Sequence, residues 1–236
     1  MTMGECAQND SGGERSERQW GGAQNDNGGA LGVLVPDNTN PYNALVLKGV
    51  EAKAQETGHI VIIANTNSDA EREKEILNSF VSMKLAGILS IPTWLENYCE
   101  LSVPFILMSR FPYHEPYISR IEHKIRSSFS YIVNDDFLGE YMAAAHLIRQ
   151  GYRDLYLVLG STDKSNAEGI IGYDDIESAK YMTPPLTTIN QSKFAIGSQS
   201  VAHLINSPDG PGRAWQKVLA PTLCLRRSTK NIKAGE

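Results

Sequence analysis

The chain has 236 residues, 41% of them hydrophobic, enough for one or two modest cores. Its formal net charge of −5 argues against an autonomous nucleic-acid binder, which carries a basic face. Three dispersed cysteines (Cys6, Cys99, Cys224) suit neither a disulfide framework nor a zinc site, and no apolar run reaches membrane-spanning length. With no secretory h-region near Met1, the expectation is a cytoplasmic protein without membrane contact.

Residues 1–30 are rich in Gly, Asn, Gln and charge, with Trp20 the one large apolar group. An imperfect repeat, Ala7-Gln-Asn-Asp-Ser-Gly-Gly13 and Ala23-Gln-Asn-Asp-Asn-Gly-Gly29, marks low complexity. Such a segment buries too little to offset its ordering entropy and is expected to be disordered. Leu31 to Val35 then reads as a buried strand ended by Pro36-Asp37-Asn38. Asn40 is a helix N-cap and Pro41 suits the first helical position, where a missing N–H costs nothing. That helix carries Leu45, Val46, Val50 and Ala54 as apolar positions and stops at Gly58.

The alternation continues down the chain. His59–Ala64 is a second strand, and Asp69–Lys84 a charged amphipathic helix with Ile76, Leu77, Phe80 and Val81 inward. Ala86–Pro92, Val103–Arg110 and Tyr131–Asp136 are further strands, followed by a helix from Phe137 to Gln150 and a strand at Leu155–Gly160. Ile170-Ile-Gly-Tyr-Asp174 is the next strand, Thr187–Ile189 a short one, Phe194–Asn206 a helix and Leu223–Thr229 the last strand. Strands alternating with helices predict a doubly wound parallel α/β sheet. Polar ligands of such sheets sit at the carboxyl ends of the strands.

Three blocks carry a resemblance. Leu31-Gly-Val-Leu-Val-Pro-Asp-Asn-Thr-Asn-Pro-Tyr42 is the first, and Gly172-Tyr-Asp-Asp175 followed by Tyr181-Met-Thr-Pro-Pro-Leu-Thr-Thr188 is the second. The third is Arg226-Arg-Ser-Thr229. Together they resemble the effector-binding core of lactose- and galactose-repressor-type (LacI/GalR) transcription regulators, over about residues 31–229 with one large gap. The resemblance implies a periplasmic-binding-protein-like fold of two doubly wound parallel-sheet lobes. Ser161–Gly169 looks like the start of the second lobe's first helix, yet Ile170–Asp174 looks like a strand several units later. About three βα units, at roughly 30 residues each, are missing between them, so the second lobe is expected to be truncated.

The domain expectation is therefore a disordered segment over 1–30, a first lobe over 31–150, an incomplete second lobe with a return segment over 151–229, and a tail over 230–236. In the family the N-terminal region holds a helix-turn-helix that reaches DNA. Residues 1–30 show no amphipathic helix pair and no basic run, so DNA is expected as a partner only of a full-length family member.

A pocket for a sugar or nucleoside needs carboxylates and amides for hydroxyls and an aromatic for an apolar ring face. The resemblance assigns Asp174 to ligand hydroxyls; the alternative is an Asp capping the next turn. Asp175 is expected to hold that turn. In the first lobe Asp37 and Asn40 stand at a strand's carboxyl end, Asn40 serving as N-cap or ligand contact and Tyr42 as pocket wall or packing group. Ser109 and Arg110 end the fourth strand where the family has Asp-Arg, and Asn134-Asp135 ends the fifth where it has Asp-Asn. Arg110 either forks onto ligand or pairs with Asp135. The resemblance places a dimer interface at Val46, Val50, Phe80, Met83 and Tyr181, although helical periodicity assigns about half of them to the core.

No phosphate loop, Gly-x-Gly-x-x-Gly, nucleophile elbow or His-Glu-x-x-His occurs, and the five histidines share no ligand spacing. Sequence-adjacent carboxylates such as Asp135-Asp136 point apart on a strand and make poor acid–base pairs. The expectation is a non-enzymatic effector sensor, without cofactor or metal, that takes a sugar or nucleoside-class molecule and self-associates. A stand-alone sugar-binding protein of the periplasmic transport type and a non-functional fragment are the alternative readings.

Overall fold

The computed structural model describes residues 29–109, 129–153, 170–206 and 214–229. The expected disorder of residues 1–30, the strand at Leu155–Gly160 and Arg110 fall wholly or mostly outside them. The chain divides into two units, residues 1–133 with 193–217, and residues 134–192 with 218–236. It therefore passes between them three times.

The first unit is built on a six-stranded sheet in the order β2-β1-β3-β4-β5-β8. These strands are β1 (Ala30–Val35), β2 (Ile60–Asn65), β3 (Gly87–Ser90), β4 (Phe105–Ser109), β5 (Tyr131–Asn134) and β8 (Gln216–Leu219). β1 pairs parallel with β2 (Leu31 opposite Val61) and with β3 (Leu31 opposite Gly87), and β3–β4 and β4–β5 are parallel as well. Leu31 and Val33–Val35 are all buried, which is what a strand covered on both faces of a parallel sheet requires. One sheet face forms a core in which Leu34, Ile88 and Leu107 meet Leu77 and Phe80 of helix α2 (Ala70–Ser82), with Leu85, Tyr98 and Phe129. The other helices of this unit, α1 (Pro41–Glu56) and the late helix Lys193–Asn206, pack against each other.

Local signals set most boundaries. Asn40 Oδ1 accepts from the Tyr42 N–H at 2.8 Å, Pro41 is the first helical residue, and Gly58 follows the helix at φ 72°. Asp69 caps α2 by accepting from the Glu71 and Arg72 N–H groups. Ile76 and Val81 are only half-buried, and Glu73 is fully buried. Glu73 joins Leu77 and Phe80 on the inward side, where it accepts four hydrogen bonds from the segment after β3.

The dimer expectation changes as well. Val46 and Val50 are fully buried and Phe80 is 4% exposed, so these three are core residues of this chain. Helix α1 is covered by the late helix, brought close by two glycines: a Cβ on Gly49 would run into the Phe194 carbonyl, and one on Gly197 into the Val46 carbonyl. Met83 and Tyr181 remain exposed at 59% and 76%.

The second unit holds helix α3 (Asp136–Arg149), strands β6 (Ile171–Tyr173), β7 (Thr187–Asn190) and β9 (Thr222–Cys224), and short 3-10 turns at Glu177–Lys180 and Arg227–Thr229. Its sheet runs β6-β7-β9, with β6 parallel and β9 antiparallel to β7. The late helix Lys193–Asn206 is α4. The unit boundary falls at residue 133 rather than at the expected 150, because α3 packs on β7 and β9. Two further differences have local causes. Strand β8 was not foreseen because Gln216-Lys-Val-Leu219 is too short and mixed to show periodicity; it forms by joining the edge next to β5. The last strand stops at Cys224, since the Arg226 N–H and C=O engage the Thr187 hydroxyl instead of a strand ladder. Among the described residues no helix is long and apolar enough to cross a membrane.

Candidate functional site

In the first unit the candidate groups gather where the parallel strands end. After β1, the exposed Asp37 accepts through Oδ1 from both the Thr39 N–H (2.8 Å) and the Thr39 hydroxyl (2.7 Å). These two bonds favour the ionised form and hold the Asp37 carboxyl below the usual carboxylate value. The Asp37 carbonyl is fixed by Asn43 Nδ2 at 2.8 Å, and Asn43 is 7% exposed. Asn38 and Asn65, at the ends of β1 and β2, exchange hydrogen bonds: Asn38 N–H to Asn65 Oδ1, and Asn65 Nδ2 to Asn38 Oδ1, both at 3.0 Å. Asn40 spends its side-chain oxygen on the helix cap.

Tyr42 and Ser109 come together. The Ser109 hydroxyl donates to the Tyr42 oxygen at 2.6 Å, linking the first turn of α1 to the end of β4. Ser109 has a φ of 75°, a left-handed conformation that a non-glycine residue adopts rarely and usually under outside constraint. Lys193, 4% exposed, places its ammonium 5.9 Å from the centre of the Tyr42 ring. Lys193 and Asn43 were not anticipated. A buried lysine at the first position of a helix has no signature in periodicity.

The second unit positions the remaining candidates. Asn134 is 5% exposed and uses both ends of its amide internally, Nδ2 donating to Gln191 Oε1 at 3.2 Å and Oδ1 accepting from the Ser192 N–H at 3.1 Å. Gln191 in turn donates to Asp136 Oδ1 at 2.9 Å. Asn134 is therefore an internal tie rather than a ligand-facing amide. Asp135 is the N-cap of α3, its Oδ1 accepting from the Leu138 N–H at 2.9 Å, and its own N–H donates to the Leu219 carbonyl. That is a capping role in place of the expected ligand contact. Tyr173 packs its ring against Gly139, where a Cβ would strike the Tyr173 hydroxyl, and burial pushes its phenol above the ordinary value.

Asp174 leaves β6 with φ 78°, and Asp175 follows at 44°. The two neighbouring carboxylates are separated by role. Asp175 accepts from Arg226 Nη2 at 2.6 Å in a pair whose side chains are 13% and 16% exposed, and its N–H donates to the Thr188 hydroxyl at 3.2 Å. Asp174 is half-buried at the strand's carboxyl end. Among the described residues no cluster of His, Cys, Asp and Glu could hold a metal ion.

Residues 167–229 match the family of periplasmic binding protein-like domains. The chain is 24% identical to the ribose operon repressor of Haemophilus influenzae, over 86% of this chain and 82% of that protein. That matched span is 283 residues long, whereas 86% of this 236-residue chain is about 203, so about 80 residues of the span have no counterpart here. Among solved structures, a LacI family transcriptional regulator from Enterococcus faecalis with bound ribose matches with a TM-score of 0.66 at 22% identity, covering 86% of this chain and 100% of that one. The lac repressor dimer bound to operator and an anti-inducer matches with a TM-score of 0.69 at 14% identity, covering 87% of this chain and 82% of that one.

Proposed function

We propose that this chain, a relative of the lactose- and galactose-repressor-type (LacI/GalR) transcription regulators, senses a small polyhydroxylated effector, a sugar or a related metabolite, as the effector module of a regulator. The observation that carries this reading is Asp174. It sits at the carboxyl end of a parallel strand in a left-handed conformation, while its neighbour Asp175 is held by Arg226. Carboxyl ends of strands in α/β sheets are where polar ligands bind, and an ionised carboxylate accepts hydrogen bonds from sugar hydroxyls. Asp37, Tyr42 and Ser109 are polar groups at strand ends of the first unit. Tyr42 supplies an aromatic face, and its hydroxyl is already oriented by Ser109. In this reading the effector changes the activity of a self-associating regulator whose output is transcription.

Calorimetric titration of D-ribose, together with a panel of other sugars and nucleosides, tests the proposal on the parent chain and on Asp174→Ala. A hydrogen bond to a charged group is worth roughly 1.5–3 kcal/mol, so the variant should bind about 10- to 100-fold more weakly. Tight binding indifferent to Asp174→Ala would remove Asp174 from the site. Absence of binding to every panel member would remove the sensing function for that class.

A further inference from the structure

We infer that Arg226 is a positioning residue for the effector site, presetting the strand-end turn so that Asp174 is presented in its binding conformation. This rests on the reading of Asp174 as an effector contact.

The turn is intrinsically disfavoured. Two successive non-glycine residues, Asp174 and Asp175, occupy the left-handed region, a conformation that persists only where surrounding structure over-determines it. Aspartate tolerates that region better than most residues, yet tolerance alone does not select it over the extended conformation of the preceding strand. The selection comes from Arg226. Its guanidinium forks: Nη2 donates to Asp175 Oδ1 at 2.6 Å, and Nη1 donates to the Leu186 carbonyl at 2.7 Å. One planar group thus fixes the end of β6 relative to the entry of β7, as lysine, a point charge on a flexible stem, does poorly.

Arg226 is itself held from both sides. Its N–H donates to the Thr187 hydroxyl at 2.9 Å, and that hydroxyl donates back to the Arg226 carbonyl at 3.1 Å. Two residues on, the Ser228 hydroxyl donates to the Ile170 carbonyl at 2.7 Å and accepts from the Thr187 N–H at 2.8 Å. Strand β6 is therefore anchored at its start by Ser228 and just past its end by Arg226. The Thr188 hydroxyl completes the turn by accepting from the Asp175 N–H at 3.2 Å. The Asp-Asp, Leu-Thr-Thr and Arg-Arg-Ser-Thr blocks converge on one hydrogen-bonded assembly around the turn that carries Asp174.

The test uses the full chain and compares Arg226→Ala, Asp175→Asn, Arg226→Lys, Asp174→Ala and the double variant Arg226→Ala/Asp174→Ala by D-ribose calorimetry. Arg226→Ala and Asp175→Asn are each expected to weaken binding by a factor similar to Asp174→Ala, about 10- to 100-fold. The double variant should bind no more weakly than either single one, because both changes act through the same contact. Arg226→Lys should recover part of the affinity. Should Arg226→Ala fail to fold, Asp175→Asn, which keeps the side chain's shape, carries the same comparison. An Arg226→Ala chain that unfolds at lower temperature but binds D-ribose as the parent does would overturn the assignment, and so would losses that multiply in the double variant.

Amide hydrogen exchange separates this claim from the effector reading. If the parent chain binds no D-ribose, exchange alone decides. Arg226→Ala should speed exchange at the Asp175 amide by about tenfold or more relative to the Ile189 amide in β7, since only the turn opens locally. Equal acceleration at both amides, or none, shows that Arg226 does not set the turn.

Discussion

Tyr98 donates its hydroxyl hydrogen to the carboxylate of Glu73 at 2.8 Å, with both side chains buried in the first unit. A carboxylate only accepts, so Tyr98 must be the donor, and Ser90, 2.6 Å from the same phenol oxygen, must donate to it. The Thr93 and Trp94 N–H groups and Asn97 Nδ2 complete the shell around Glu73 at 2.7, 3.0 and 3.0 Å. Burial, with the negative charge of Glu73 next to it, pushes the Tyr98 phenol well above its ordinary value. One side chain of α2 thereby orders the whole segment that follows β3.

Removing Glu73 leaves two backbone N–H groups and a phenol without their acceptor. Glu73→Ala is expected to destabilise the chain by about 2–4 kcal/mol, whereas Tyr98→Phe should cost about 1–2 kcal/mol. Urea denaturation measures both. A Glu73→Ala chain as stable as the parent would mean that water replaces the carboxylate at no cost.

The approach of α1 to α4 makes a sharper prediction. Gly49→Ala and Gly197→Ala each put a methyl against a backbone carbonyl, which has no rotamer by which to yield. Each should cost about 1–3 kcal/mol, or several degrees in melting temperature. Gly58→Ala is the control, because space there is open and only its φ of 72° is strained.

Self-association should depend on the exposed candidates and not on the buried ones. Met83→Asp and Tyr181→Asp are expected to shift sedimentation toward monomer while leaving the melting temperature within a few degrees of the parent. Val50→Asp, which buries an unpaired charge, should instead unfold the chain. Sedimentation unchanged by both exposed substitutions would place the interface elsewhere.

Two histidines predict the acid limb of stability. Burial lowers the His146 value, aided by the charge of Arg149, and burial alone lowers that of His203. His146 lies 3.0 Å from the Thr229 hydroxyl, and His203 stacks on Trp215 with ring centres 4.1 Å apart. With the folded values below the ordinary 6.5, the unfolded chain takes up protons first. Stability should hold above 6.5 and decline as pH falls from there toward the depressed folded values. Urea midpoints at pH 7.5 and 5.5 check this, and His146→Gln should flatten the difference. A midpoint that rises on acidification would reverse the sign of the argument.

Among the described residues, the parallel sheet of the first unit and many element boundaries were legible in the sequence, because they rest on neighbours within a few residues. Asn40-Pro41 starts α1, Asp69 starts α2, and the apolar run Leu31–Val35 is the fully covered β1. The Asp-Asp turn and its position at a strand's end were visible for the same reason. What only the tertiary structure decided is which groups meet across long stretches of chain. Helical spacing marks Val46 and Val50 as apolar without saying whether α4 or solvent covers them, and it gives no reason to bury Glu73. Asn134 and Asp135 read as site residues until Gln191, Ser192 and the α3 cap claimed them. Arg226 meets Asp175 across 51 positions, a pairing that exists only once β6, β7 and β9 lie side by side. Local propensity is encoded residue by residue, whereas the partner of a charge is set by which elements the sheet brings together.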